Sequence, residues 1–223
     1  CINMKIEINV PDSLKEIKLG QYQKFEKINI EENKDTPFLL QKMVQIFCSL
    51  DLKDVATIKY KSVQEIALHL NKVFDTKHDL IPTFELGGVK LGFIPVLDDM
   101  TLGEYIDLDN NLGDWQTMHK AMSVLFRPVT FSKGHKYQIE DYKGIVNDEA
   151  MKQAPLDVVF SALVFFYRLS NELTKTILNF LQKETNKKLT TQQKQTLGLS
   201  GDGINPYMDS LKKMLPDLTQ LLN

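Results

Sequence analysis

The stretch from Pro155 to Leu169 restricts the fold of this chain more than any other. Pro155 stands where a first helical residue is favoured, because a helix start leaves its N–H unpaired in any case. From Leu156 onward, Val158, Val159, Phe160, Ala162, Leu163, Val164, Phe165, Phe166, Tyr167 and Leu169 fall on nearly every side of the helix they would form. A helix that is apolar all round has no face to offer water, so the rest of the protein must surround it. The run Val158–Tyr167 is about half the length needed to cross a bilayer, so it is expected to be the central helix of a soluble fold. An amphipathic extension follows through Leu173, Ile177, Leu178 and Leu181. With 223 residues, 43% of them hydrophobic, the chain can wrap such a helix as one large or two small domains.

A second feature is an echo. Val10-Pro11 precedes Ile17-Lys18-Leu19-Gly20-Gln21-Tyr22 and a helix with Lys42, Met43 and Phe47. Ile94-Pro95 precedes Met100-Thr101-Leu102-Gly103-Glu104-Tyr105 and a helix with Lys120, Met122 and Phe126. The shared order suggests an internal duplication of a strand–helix–helix unit, with pseudo-repeats at about 5–75 and 84–170. Duplication predicts that Leu19 and Leu102 are both buried, and that Tyr22 and Tyr105 lie alike over the helices that follow.

The remaining elements follow from periodicity. Ile6, Ile8 and Val10 alternate as a half-buried strand. Residues 13–27 read as a short helical or turn segment with Leu14, Ile17, Leu19, Tyr22 and Phe25 inward, and Phe38 to Leu50 as an amphipathic helix. Ser62 and Glu65 form a capping-box pattern before the helix Val63–Phe74. Phe84, Leu86, Gly87-Gly88, Val89, Leu91 and Phe93 read as a β-hairpin, to which the first strand adds as a third. Trp115 heads an apolar stripe, Met118, Ala121, Met122, Leu125 and Phe126, that Pro128 ends, and reads as a core anchor. A short strand is expected around Tyr137 and Ile139. The fold class is therefore mainly α with a small antiparallel β element.

Chemistry is sparse. Residues 98–114 hold six carboxylates and no basic residue. Asp107-x-Asp109-x-Asn111 resembles the opening of a calcium loop, but Leu112 stands where the loop needs glycine, and Met118 where it needs a bidentate glutamate. Helix capping by Asp98 or Asp99, and by Asp114, is the better reading. His119 lacks metal partners at helical spacing and reads as a surface or capping residue. No phosphate-cradling glycine loop, serine elbow, paired metal cysteines or zinc helix occurs. No catalytic, cofactor-binding or metal residue is assigned, and a non-enzyme is expected. An enzyme or a calcium-binding regulator is the outside alternative.

The net charge of -2, with both signs interspersed, argues against a general nucleic-acid or anionic-membrane surface. Cys48 reads as a buried thiol, and two unrelated cysteines suit a reducing compartment. The N-terminal residues contain no signal-peptide hydrophobic stretch. Three parts are expected: a helical body with a small sheet over 1–182, a polar linker over 183–204, and a C-terminal amphipathic helix over 205–223. The last presents Met208, Leu211, Leu218 and Leu221 as candidate partner-binding residues, docking in cis or on another protein.

Gly92-Phe93-Ile94-Pro95, the run Met100 to Asp109, the segment His119 to Pro128, and Pro155-Leu156-Asp157 with its aromatic-rich helix resemble a family of uncharacterised proteins from tailed phages of Bacteroidota, the crAss-like group and relatives. The resemblance covers about residues 84–173. The layout of leading strand, Leu-Gly-x-Tyr and short helices also resembles tail assembly chaperones. These resemblances imply a protein of virion assembly or structure. It would work in the bacterial host cytoplasm during assembly, or in the virion, by binding tail, capsid or tube proteins, and it would have scope to oligomerise. The family brings no catalytic residues to carry over.

Overall fold

The computed structural model describes residues 8–76 and 79–185. Seven α-helices and four strands occur among them: α1 (Leu19–Glu26), α2 (Pro37–Phe47), α3 (Leu52–Val55), α4 (Tyr60–Phe74), β1 (Thr83–Leu86), β2 (Val89–Phe93), α5 (Leu102–Leu112), α6 (Met118–Leu125), β3 (Phe126–Lys133), β4 (Lys136–Ile139) and α7 (Leu156–Thr185). Single 3-10 turns precede α1, α2, α5 and α7. The fold is mainly α, with one antiparallel sheet in the order β1-β2-β3-β4.

As its composition requires, α7 is central. Val159, Ala162 and Leu163 are fully enclosed, and Phe160 and Phe166 are buried with them. Aromatic rings surround its first turns. Tyr22 meets Trp115 at 4.6 Å and Phe160 at 5.4 Å between centroids, and Phe93 meets Phe165 at 5.6 Å. Trp115 is thus the core anchor its place at the head of the stripe implied. The start of α7 is stitched to the start of α1: Leu19 N donates to Ala154 O and Leu156 N to Ile17 O, flanking a bridge between Lys18 and Pro155. Cys48 is buried beside Val44, Val55 and Val63 in a smaller satellite core. Burial pushes its thiol up to about 11.

The β1–β2 hairpin turns through Gly87 and Gly88, at φ 58° and 79°, conformations that glycine adopts without a Cβ clash. Among the described residues its third strand is not the N-terminal segment. Residues 8–10 are not in a strand, and residues 1–7 lie outside the described residues. Instead β3 pairs with β2, Gly92 opposite Arg127 and Phe93 opposite Phe126. The helix expected to run to Phe126 therefore stops at Leu125, and Pro128 is a strand residue. Pro128 tolerates that place because it faces Leu91 outside the bonded pairs and its carbonyl still accepts from Glu140 N, next to a register shift between Val129 and Phe131.

Other expectations are corrected by local geometry. Ser62 does not cap α4, which begins earlier at Tyr60, placing Ser62 inside it. Phe38, at the exposed start of α2, is not inward; Val44 takes the core position instead. α7 includes residue 183, the expected start of the linker, and is described as far as Thr185. Residues 186–223, including the rest of the expected linker and the C-terminal helix, lie outside the described residues. Among the described residues no helix is long and apolar enough to cross a membrane.

Candidate functional site

The most unusual element is α5. Its start is set by a reciprocal capping box: Glu104 N donates to Thr101 Oγ1 at 3.2 Å, while Thr101 N and Thr101 Oγ1 both donate to Glu104 Oε2 at 2.7 Å. Thr101, and neither Asp98 nor Asp99, is the cap; those two acids sit in the preceding 3-10 turn. The other carboxylate oxygen of Glu104 accepts from Arg127 Nη1 at 2.5 Å, reaching to the start of β3. Both side chains are largely buried. The contact is single-pronged, and Arg127 Nε is buried with no partner among the described residues. The guanidinium lies 5.5 Å from the centre of the Tyr142 ring, within cation–π range, and the Tyr142 hydroxyl donates to Asp107 Oδ2.

Charge states follow from these contacts. Burial alone would raise the Glu104 carboxyl, but the Thr101 hydroxyl and amide and the Arg127 guanidinium outweigh it and hold it below the ordinary value. The Tyr142 hydroxyl is pushed well above its usual range by burial and by its bond to Asp107.

The inward side of α5 is thus Glu104, Leu108, Asn111 and Leu112, with Asp107 held from the flank by Tyr142. The outward side of its first turns is apolar. Leu102 is 74% exposed, Tyr105 52% and Ile106 48%, and Val96 in the approach to α5 is 51% exposed. Spacings of three and four residues put Leu102, Tyr105, Ile106 and Asp109 on one face. Asp98 and Asp99 in the turn before α5, Asp109 on it and Asp114 just past its end are all exposed. The matched-burial expectation therefore fails. Leu19 is fully enclosed and Tyr22 packs edge-on against the core rings of Trp115 and Phe160, whereas Leu102 and Tyr105 face out. Both Leu-Gly-x-Tyr blocks open a helix with a back-bonding residue at the third position, Gln21 and Glu104. The shared motif is a helix-start signal, and the two copies are not packing counterparts. The calcium-like stretch Asp107–Asn111 is helical, with Asn111 Nδ2 donating to the Asp107 carbonyl at 2.7 Å.

A second polar cluster forms around His119, which is buried, not at the surface. Its Nε2 lies 3.6 Å from Asp148 Oδ2 and 3.6 Å from Glu149 Oε1. These three groups bring one ligand atom each within 4.8 Å of one another. The other ring nitrogen decides what they can do. Gln23 Nε2 lies 3.0 Å from His119 Nδ1 and donates to Trp115 O at 2.7 Å. Reversing the amide would set its oxygen against the Trp115 carbonyl, so Nδ1 accepts and the proton of the neutral ring sits on Nε2. That tautomer points an N–H at the carboxylates and leaves no lone pair there for a cation. Burial, and then the Lys152 ammonium, depress the ring's pKa against the opposing pull of Glu149 and Asp148. The cluster ties α1 and α6 to the turn before α7 through a neutral histidine.

Met208, Leu211, Leu218 and Leu221 lie outside the described residues. Sequence reasoning also passed over the Thr101-x-x-Glu104 box, which is legible in the chain. The Glu104–Arg127 and His119–Asp148 pairings have no local signal, because their partners come from separate elements. The chain matches no protein-family model, no curated protein and no solved structure.

Proposed function

We propose that this chain is a non-enzymatic protein of tailed-phage virion assembly, acting like a tail assembly chaperone by holding another phage structural protein. The observation that carries the reading is the inverted polarity of α5. This helix turns an ion-paired carboxylate inward and leaves a leucine, a tyrosine and an isoleucine facing out. Within one molecule that arrangement leaves apolar area wet while a charge pair is desolvated. A rimmed apolar face is what a protein partner covers.

The rim selects the partner's chemistry. Asp98, Asp99, Asp109 and Asp114 favour an apolar segment flanked by lysine or arginine. A second copy docked face to face would set these acids against their own counterparts, so the partner is a different protein: a tail, tube or capsid component.

The test is affinity capture of tagged protein from phage-producing cells, comparing wild type with Ile106→Asp. The reading expects a phage structural protein with wild type and its loss with the variant. Equal capture by both would refute the α5 assignment. Mass spectrometry of purified virions then separates a chaperone, absent from them, from a structural component, which stays.

A further inference from the structure

We propose that a lysine-lined cleft along α1 binds a small molecule carrying two or more phosphoryl groups. This site shares no residue with the α5 face. Two neighbouring cavities of about 440 and 680 Å³ share Gln21, Lys24 and Ser49 in their linings. Each lies within the size range of small-molecule sites. Lys18, Lys24, Lys27 and Lys152 line the larger cavity and Lys42 the smaller, against one carboxylate, Glu16. In a chain of net charge -2, this is local segregation of positive charge. Lys152 is paired with Glu149 at 2.7 Å. Lys18, Lys24 and Lys27 are exposed and form no ion pair among the described residues. Like charges converging on a cleft repel one another and focus a field that an anion relieves.

The donor set narrows the class. Lysine and no arginine lines the two cavities, and lysine ammonium groups serve phosphoryl oxygens as movable point charges. The floor adds a neutral donor. Ser49, two residues past the end of α2, has φ 53°, a left-handed conformation costly for serine. Its Oγ accepts from Gln21 Nε2 at 3.2 Å, and Gln21 is itself fixed by donation to Ile46 O at 2.8 Å. The Ser49 hydroxyl proton is therefore free to donate to a ligand oxygen between the two cavities. Cys48, beside it, contributes a protonated thiol and not a competing anion.

The experiment is calorimetric titration of the full chain with inorganic tripolyphosphate and with ATP. It compares wild type, Lys24→Gln/Lys27→Gln, and a control, Lys133→Gln/Lys136→Gln, in the β3–β4 hairpin. All substituted lysines are exposed, and unchanged thermal melts verify that each variant folds. The proposal expects saturable one-to-one binding that weakens about tenfold or more in the cleft variant and is unchanged in the control. ATP binding better than tripolyphosphate identifies a nucleotide; equal binding identifies the phosphate chain alone. Three results would overturn it: no saturation below about 1 mM, equal weakening in both variants, or tighter binding of a single-stranded oligonucleotide than of either phosphate probe.

Discussion

Glu104 is a carboxylate that the fold commits to one place. With Arg127 shortened to Met, Glu104 would keep its Thr101 bonds but lose its counter-charge while still largely buried. Arg127→Met is therefore expected to cost about 3–5 kcal/mol at neutral pH by chemical denaturation. The double change Glu104→Leu/Arg127→Met should cost clearly less than the single one, because no buried charge is then left alone. A double variant as unstable as the single would show that the pair matters through packing. The sign of the pH dependence is fixed. The folded-state pKa of Glu104 is depressed, so its stabilisation is present above the unfolded carboxylate value and is lost as pH falls through the folded value. His119 acts in the same direction at higher pH. Its folded pKa is lowered, so the unfolded chain takes up the proton first, and stability declines on acidification below the ordinary histidine value until the folded ring titrates as well. An NMR titration placing His119 at or above that ordinary value would contradict the Gln23-locked neutral ring. Gly92 shows a third kind of commitment. A Cβ there would stand 2.6 Å from a Tyr137 ring carbon and 3.0 Å from Val129 Cγ2, while the Tyr137 hydroxyl is held by Phe93 O at 2.8 Å. Gly92→Ala should cost about 1–3 kcal/mol; a stability equal to wild type would mean that the ring moves freely.

Among the elements, α7 and α5 invite opposite experiments. Leu163 is fully enclosed in α7, so Leu163→Ala should cost about 2–5 kcal/mol, through lost transfer energy and the cavity left behind. An unchanged denaturation midpoint would refute the central placement of α7. On α5, Leu102→Ser and Ile106→Asp remove exposed apolar groups and should shift stability by no more than about 0.5 kcal/mol, while abolishing partner capture. A large loss of stability would mean that this face is covered by the chain itself. The contrast also explains what could be read in advance. Both helices carry apolar residues, and the fully apolar α7 leaves no choice of side. In α5, apolar and acidic residues fall on both sides, and the side that turns inward is decided by Arg127, 23 positions away on a strand. Local spacing could place the helix but not orient it.

For the whole molecule, legibility in the sequence follows the range of the contact. The Gly-Gly hairpin and the α4 and α7 helices are marked by residues within a few positions of one another and were readable. β3 was not, because Phe126 continues the apolar stripe of α6 and Pro128 reads as a stop. Only the edge offered by β2, brought from residues 89–93, makes that segment a strand. The convergence of His119 with Asp148 and Glu149 depends likewise on the turn before α7 lying against α6, and no spacing rule announces it. The molecule that results has its centre filled by α7, its two hairpins joined into one sheet by the β2–β3 pairing, and one helix turned with apolar residues outward. The claim that this helix meets a partner is tested most directly by placing a photo-crosslinking phenylalanine analogue at position 105 in phage-producing cells and identifying the adduct by mass spectrometry. The account predicts a single dominant adduct with a phage structural protein, lost when Ile106→Asp is added. An adduct with the chain's own residues 205–223, with a second copy, or with no protein at all would contradict it.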